Sequence, residues 1–194
     1  MRPGVTALLT VHPARMRNGM LNRALMSVTK QTLQPAAIIA VNDLETEGAG
    51  QTRQRALSLV ETEWLAWLDS DDTWDHDHLA KLMRCAKETN SVYVYSWFRA
   101  PHDPLGHFEK VFNPCAPHHT TIVALMKTSV AKEAGIPDTN MNHPVSNEDW
   151  GFIERFSAIC CDRGWKMTHL PERTWTWYQH GMNSSGQPGK GDAR

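Results

Sequence analysis

The stretch WLAWLDSDDTW, residues 64–74, joins a short apolar run to a cluster of acidic side chains. The run Trp64–Leu68 is bounded by polar residues, which is typical of a buried β-strand. In extended backbone the side chains of Asp69 and Asp71 project to one face, while Asp72 begins the turn. The stretch therefore predicts a strand that carries three carboxylates at its carboxyl end.

This acidic cluster has two possible interpretations. Three neighbouring carboxylates repel one another unless a cation compensates their charge. A divalent cation with oxygen ligands, Mg²⁺ or Mn²⁺, that also binds a substrate diphosphate would supply that compensation. Alternatively, Asp71 or Asp72 caps a helix over Trp74–Lys87, although a cap explains one aspartate and not the whole set. Both interpretations stay open on the sequence of this stretch alone.

Strands and helices alternate on both sides of the acidic stretch. Apolar runs predict strands at residues 5–11, 37–41, 64–68, 91–98, 121–126 and 167–170. Helical spacing of apolar residues predicts helices at 18–32, 52–60, 79–87, 129–134 and 148–163. The alternation predicts a single-domain α/β fold with a mostly parallel sheet. Ligands bind at the carboxyl ends of such strands, where Asp43 and Asp69 are both expected.

The composition argues against several classes of protein. The chain has 194 residues, and its 20 basic and 21 acidic side chains give a formal charge of -1, which provides no overall field for nucleic acids or anionic membranes. No apolar stretch approaches the ~20 residues of a membrane span, and residues 1–11 lack the features of a secretory signal. We therefore expect a cytoplasmic protein without a transmembrane segment. Residues 184–194 contain few apolar anchors and predict a flexible tail.

The four cysteines show neither a CxxC spacing nor a dense framework. Adjacent Cys160 and Cys161 are poor disulfide partners for each other, so we expect reduced, partly buried thiols. A zinc site is an alternative, because Cys115 lies near His118 and His119 and further histidines occur at positions 102, 107, 143 and 169. The spacing matches no closed structural zinc site, however, and carboxylates that act with phosphate favour magnesium or manganese.

Six segments carry a resemblance to a known family. In chain order they are TVHPARMRNGMLNRALMSVTKQT (10–32), AIIAVND (37–43), WLAWLDSDDTW (64–74), TTIVALMKTSVAKEAGIPD (120–138), NEDWGFIERF (147–156) and WYQHGMNSS (177–185). Together they resemble the family 2 glycosyltransferases of the GT-A fold, over about residues 5–185. Departures at Arg15-Met16 and Leu44-Glu45 leave the nucleotide open among UDP, GDP and TDP, with a UDP-sugar favoured.

The resemblance implies a Rossmann-like three-layer sandwich over residues 1–183, with a nucleotide-binding half at 1–98 and an acceptor and catalytic-base half at 99–183. It implies a metal-dependent, hexosyltransferase-like enzyme. Such an enzyme transfers a sugar from a nucleoside diphosphate sugar to an acceptor hydroxyl, here of unknown type, with inversion. Two other functions remain open: a catalytically silent sugar-nucleotide-binding module, which a short chain would suit, and a nucleotidyltransferase of related fold.

The resemblance also implies roles for individual residues. Contacts to the donor are implied for Pro13, Arg15, Asp43, Arg53, Asp69, Ser70 and Asp71. Direct binding of Mn²⁺ or Mg²⁺ is implied for Asp71, Asp72 and His180. Simpler interpretations are a local turn at Asp43 and a solvated surface position at Arg53.

Asp149 is implied as the general base, with Glu148 beside it. A carboxyl group with an ordinary pKa of ~4 is ionised at neutral pH and takes the proton of the attacking acceptor hydroxyl. The position at the start of a predicted helix favours the ionised form. The simpler interpretation is that the two residues only satisfy the helix start, although one of them can do so while the other acts as base.

Overall fold

The computed structural model describes residues 1–13, 16, 19–43, 47–100, 113–115, 123–137, 148–178 and 180. Within these residues the strands are β1 (Arg2–Val11), β2 (Ala37–Asn42), β3 (Thr62–Asp69), β4 (Thr73–Trp74), β5 (Ser91–Arg99), β6 (Leu125–Lys127) and β7 (Lys166–Thr176). The helices of the same residues are α1 (Met20–Thr29), α2 (Ala49–Ser58), α3 (His78–Thr89), α4 (Thr128–Ala134) and α5 (Glu148–Arg163). None of these helices is long and apolar enough to cross a membrane.

All seven strands form one sheet in the order β2-β1-β3-β6-β5-β7-β4. The long ladders, β1 with β2, β1 with β3 and β5 with β7, are parallel, whereas β6 and β4 pair antiparallel with their neighbours. Because β6 runs antiparallel to both β3 and β5, those two strands point in the same direction. The carboxyl ends of the five long strands therefore lie along one edge of the sheet. The predicted α/β fold with a mostly parallel sheet is confirmed.

Helices cover both faces of the sheet, which gives three layers. Along β3, Leu65 and Trp67 belong to the core that α2, α4 and α5 cover. Trp64, Ala66 and Leu68 belong to the core under α1 and α3. This alternation follows from the two-residue period of an extended strand. Both faces of a central strand are thereby buried, which explains why its sequence is a continuous apolar run.

Several of the element boundaries that were predicted from the sequence differ from those in the structure. The predicted strand at 167–170 continues to Thr176 as β7, and the short strand β4 was not predicted. β4 pairs with the end of β7, where Thr73 lies opposite Thr176. Its two residues are too few for periodicity to detect. The predicted strand at 121–126 begins at Leu125 in the described residues, and its first two positions lie outside them.

The prediction of reduced thiols is wrong for two of the four cysteines. Cys115 and Cys161 form a disulfide with a Cα–Cα distance of 5.1 Å, whereas Cys85 and Cys160 are free and buried. Consecutive helix residues point about 100° apart, so α5 buries Cys160 and presents Cys161 on its exposed side. The bridge also removes Cys115 from any zinc site. Sequence spacing could not reveal a partner 46 residues away.

Candidate active site

One buried arginine joins two parts of the predicted site. Arg53 is 6% exposed, and its Nη2 donates to Asp69 Oδ1 at 3.0 Å. Its Nη1 donates to Asp149 Oδ1 at 2.5 Å and also to Glu148 Oε1. The side chain thus connects the end of β3 with the start of α5. The interpretation of Arg53 as a solvated surface residue is wrong.

Local structure brings these four side chains together. β3 ends at Asp69, on the sheet edge where the parallel strands terminate. Helix α2 begins after Gly48, whose φ of 94° suits glycine, and carries Arg53 in its first turns. Glu148 and Asp149 form the acidic first turn of α5, where carboxylates interact favourably with the helix dipole. Three separate segments therefore converge on one guanidinium.

The electrostatics of this cluster change the expected ionisation of Asp149. Burial, together with the nearby Asp69 and Glu148 carboxylates, raises the pKa of its carboxyl to about 7 against the opposing effect of Arg53. The expectation of an ordinary pKa near ~4 is therefore wrong. For Arg53, burial alone would lower the pKa of the guanidinium, but the three carboxylates more than offset it and the pKa is raised. The arginine stays charged while Asp149 titrates near neutrality.

The remaining aspartates of the acidic stretch contact the chain beyond β7. Asp71 and Asp72 are 3% and 1% exposed. The Asp71 Oδ2 lies 3.1 Å from His180 Nε2, and the Asp72 Oδ1 accepts a hydrogen bond of 2.9 Å from the Tyr178 backbone N–H. Ser70, which precedes them, is fully buried, and its Oγ has no hydrogen-bond partner among the described residues.

The helix-cap interpretation of these aspartates is wrong. Helix α3 begins at His78 and its N-cap residue is Asp77, so neither Asp71 nor Asp72 lies at that position. The chain instead turns after β3, where the Asp72 backbone N–H donates to the Asp69 carbonyl at 3.1 Å. The turn therefore keeps Asp71 and Asp72, like Asp69, at this edge of the sheet.

Asp43 lies on the same edge, one strand beyond β1. Its backbone N–H donates to the Val11 carbonyl at 3.0 Å, and its buried Oδ1 accepts a hydrogen bond of 2.8 Å from the Glu47 backbone N–H. This bond is local but reaches four residues along the chain, whereas a simple Asx turn at the strand end would bond the backbone two residues on. Pro13 is half-buried just beyond β1, and Arg15 lies outside the described residues.

The sequence did not reveal Arg23 as part of the site. Its Nη2 donates to the Asp71 backbone carbonyl at 2.9 Å, and its guanidinium carbon lies 3.8 Å from the centroid of the Tyr178 ring. On α1 it is an ordinary exposed helix residue. No local pattern distinguishes such a position, because both of its partners are remote in sequence.

In the part of the chain that the structure describes, no group of three or more His, Cys, Asp or Glu residues is placed to hold a metal ion. Asp71 and His180 provide one oxygen and one nitrogen at 3.1 Å from each other. Of the histidines considered for zinc, His169 is described and stacks on Tyr95 with ring centroids 4.6 Å apart. His102, His107, His118, His119 and His143 lie outside the described residues.

Comparisons with known proteins agree with this architecture. The family model for glycosyl transferase family 2 matches residues 44–123 and confirms the predicted resemblance. The structure of S. aureus TarS 1–349 in complex with UDP has a TM-score of 0.69 at 14% identity and covers 92% of this chain and 61% of that chain. The same TarS fragment with UDP-GlcNAc has a TM-score of 0.71 at 13% identity and covers 96% and 60%.

The chain therefore spans about three fifths of the TarS fragment. At this level of identity the similarity shows a shared fold of the GT-A type. No curated protein matches the chain in sequence.

Proposed function

We propose that this chain, which resembles the family 2 glycosyltransferases in sequence over residues 44–123 and TarS in fold, transfers a sugar from a UDP-sugar to an acceptor hydroxyl with inversion. The observation that carries the proposal is the bridge from Asp69 through Arg53 to Asp149. This bridge holds the Asp149 carboxyl, whose pKa is raised, near the acidic edge of the sheet. A donor diphosphate would bind at this edge.

Asp149 acts as the general base in this proposal. A base works best when its pKa lies near the working pH, because it is then both ionised and basic enough to take a proton. The raised pKa of Asp149 meets that condition. Arg53 holds the carboxylate in place through Nη1 and stays charged, and Glu148 accepts from the same nitrogen.

A divalent cation fits the other acidic side chains. The buried Asp71 and Asp72 carboxylates place negative charge at this edge, and His180 adds a nitrogen donor beside Asp71. Mn²⁺ or Mg²⁺ bound there would act as a Lewis acid that neutralises charge on the departing diphosphate. The donor diphosphate and water would complete its coordination. Asp43 accepts hydrogen bonds from the nucleotide base in this proposal.

The donor precedent comes from the solved neighbours, since TarS structures were obtained with UDP and with UDP-GlcNAc. A panel of UDP, GDP and TDP with and without Mn²⁺ tests the choice by thermal stabilisation. We expect metal-dependent stabilisation by UDP. Indifference to all three nucleotides would contradict the proposed donor class.

Substitution Asp149→Asn tests the base. It removes the proton acceptor but preserves the shape of the side chain, so we expect hydrolysis or transfer of the UDP-sugar to fall by about 10²–10⁴-fold while UDP binding is retained. Asp162→Asn is the matched control, because Asp162 is an exposed aspartate near the other end of α5. Full turnover by the Asp149→Asn variant would remove Asp149 from its role. A wild-type chain that binds UDP-sugar without turnover would favour the silent binding module.

A further inference from the structure

Two residues beyond the end of β7, Tyr178 and His180, lie against the acidic turn after β3. The Tyr178 backbone N–H donates to the Asp72 carboxylate at 2.9 Å, and His180 Nε2 lies 3.1 Å from the Asp71 carboxylate. On the other side, the Trp177 backbone N–H donates to the Arg99 carbonyl at 2.9 Å. Trp177 and Tyr178 follow directly on β7, and His180 brings an imidazole to the predicted cation site.

Arg23 contacts both the acidic turn and Tyr178. One nitrogen donates in the plane of the guanidinium to the Asp71 carbonyl, and the guanidinium carbon stands 3.8 Å above the centre of the Tyr178 ring. A guanidinium can do both at once, because its donors lie in its plane while its face stacks on an aromatic ring. A lysine ammonium, which is a point charge without a flat face, cannot reproduce the pair of contacts.

Helix α1, which carries Arg23, is anchored to the rest of the fold. Its residues Ala24 and Val28 are fully buried. Ser27 Oγ accepts from the Trp74 backbone N–H at 3.1 Å, and Gln31 just after the helix accepts from the Leu79 N–H at 2.9 Å. The helix is thus attached both to the core and to the chain that follows the acidic turn. Arg23 projects from an element with little freedom to shift.

We propose that Arg23 is a positioning residue of the donor site, which holds Tyr178 and His180 on the acidic turn so that the imidazole stands beside Asp71. The proposal rests on the proposed function, in which Asp71 and His180 bind the cation of the donor complex. Arg23 itself touches neither nucleotide nor metal in this scheme. It acts through the Asp71 backbone and the Tyr178 ring.

Hydrogen exchange of the Tyr178 amide tests the contact without any substrate. That N–H is bonded to Asp72, so its exchange reports release of Tyr178 from the acidic turn. In Arg23→Lys and Arg23→Ala we expect exchange to accelerate about tenfold, since a stacking contact and a charged hydrogen bond are both lost. Tyr178→Phe, which keeps the ring, should leave the contact intact, and Tyr178→Leu should resemble the arginine variants. Arg84→Lys on the exposed side of α3 is the matched control.

Kinetics with a UDP-sugar and Mn²⁺ test the consequence for the site. We expect Arg23→Lys to raise the KM for donor and the Mn²⁺ concentration for half-maximal rate several-fold, with kcat less affected and the pH profile unchanged. Circular dichroism establishes that the variants fold. Unchanged exchange at Tyr178 would overturn the contact, and faster exchange with unchanged KM and Mn²⁺ dependence would overturn the positioning role. Absence of UDP binding by the wild-type chain would instead overturn the proposed function, while the exchange result would still decide the contact.

Discussion

Arg53 is outnumbered by the carboxylates that surround it. Its single positive charge faces Asp69, Glu148 and Asp149, so the group carries excess negative charge when all three are ionised. Neighbouring carboxylates in a partly buried site repel one another, and the one that is hardest to ionise keeps its proton longest. Here that is Asp149, because burial and two like charges act together on its pKa.

In the proposed function, the pH dependence of turnover follows from this arrangement. The Asp149 carboxyl must be ionised to accept a proton, and its pKa is raised to about 7. We therefore expect kcat/KM for the UDP-sugar to follow the ionised fraction of Asp149. It should rise as the pH passes about 7 and should be low at a pH well below 7. The measurement is a profile from about pH 5 to 9 with Mn²⁺ present. The Asp162→Asn variant should keep the same profile, and a rate that stays constant down to pH 5 would contradict the assignment.

At the scale of elements, a buried polar network joins α3 to the sheet. His78 Nδ1 and Thr174 Oγ1 share a hydrogen bond of 2.6 Å, and Thr174 Oγ1 lies 2.5 Å from Ser96 Oγ. The imidazole also stacks on Trp74 with centroids 4.8 Å apart. Burial lowers the pKa of His78 to about 3, so the native state holds the ring neutral. These contacts fix the start of α3 against β5 and β7.

Acidification should therefore weaken the fold through His78. The unfolded chain binds a proton on this residue near the ordinary pKa of ~6.5, whereas the native state resists it down to about pH 3, so stability is lost as pH falls below ~6.5. Between pH 7.5 and 5.0 the contribution is about 2 kcal/mol of unfolding free energy. We expect His78→Asn to reduce the difference between urea unfolding at these two pH values by about that amount.

His76→Asn provides the control for this measurement, because His76 is an exposed histidine two residues earlier in the chain. Its substitution should leave the pH dependence unchanged. If His78→Asn loses as much stability on acidification as the wild-type chain, the neutral buried state of His78 is refuted.

The elements that were predicted well from the sequence are those with a clear hydrophobic pattern. The continuous apolar run of β3 and the amphipathic spacing of α5 mark elements buried on two faces and on one face. The end of β7 escaped prediction because Pro171, Glu172 and Arg173 interrupt its apolar pattern. The strand continues because β5 pairs with it on both sides of this interruption, where Ser96 lies opposite Leu170 and Trp97 opposite Arg173 with an irregularity between them. Strand pairing of this kind depends on tertiary structure, which a local sequence pattern does not reveal.

Prediction of the site was limited in the same way. Asp43 and Asp69 could be placed on one edge because parallel strands share their direction. The ionisation of Asp149 could not be predicted, since it depends on its burial and on the Asp69 carboxylate that the fold brings near it. The role of Arg23 could not be predicted for a related reason, because its partners Asp71 and Tyr178 lie far along the chain. Chemistry at strand ends is readable from sequence, whereas contacts between remote segments are not.

At the scale of the whole molecule, the disulfide links two remote segments. Cys115 and Cys161 are separated by 46 residues, and Cys161 belongs to the helix that begins with Glu148 and Asp149. Closing a loop of this length restricts the unfolded chain, which the chain-entropy model equates with about 4 kcal/mol of stability. Disulfides of this kind persist in oxidising surroundings. The bridge therefore makes the stability of the fold dependent on redox conditions.

Joint substitution of Cys115→Ser and Cys161→Ser should lower the free energy of unfolding by about 2–4 kcal/mol, because native disulfides often contribute less than the entropic maximum. Urea unfolding measures the loss, and a reductant should produce it in the wild-type chain but not in the double variant. Titration of the denatured, unreduced wild-type protein should detect the two free thiols of Cys85 and Cys160. Cys85→Ser is the control and should keep its response to reductant. Four titratable thiols before reduction would show that the bridge does not form, and the two cysteines would then return to the reduced state that the sequence favoured.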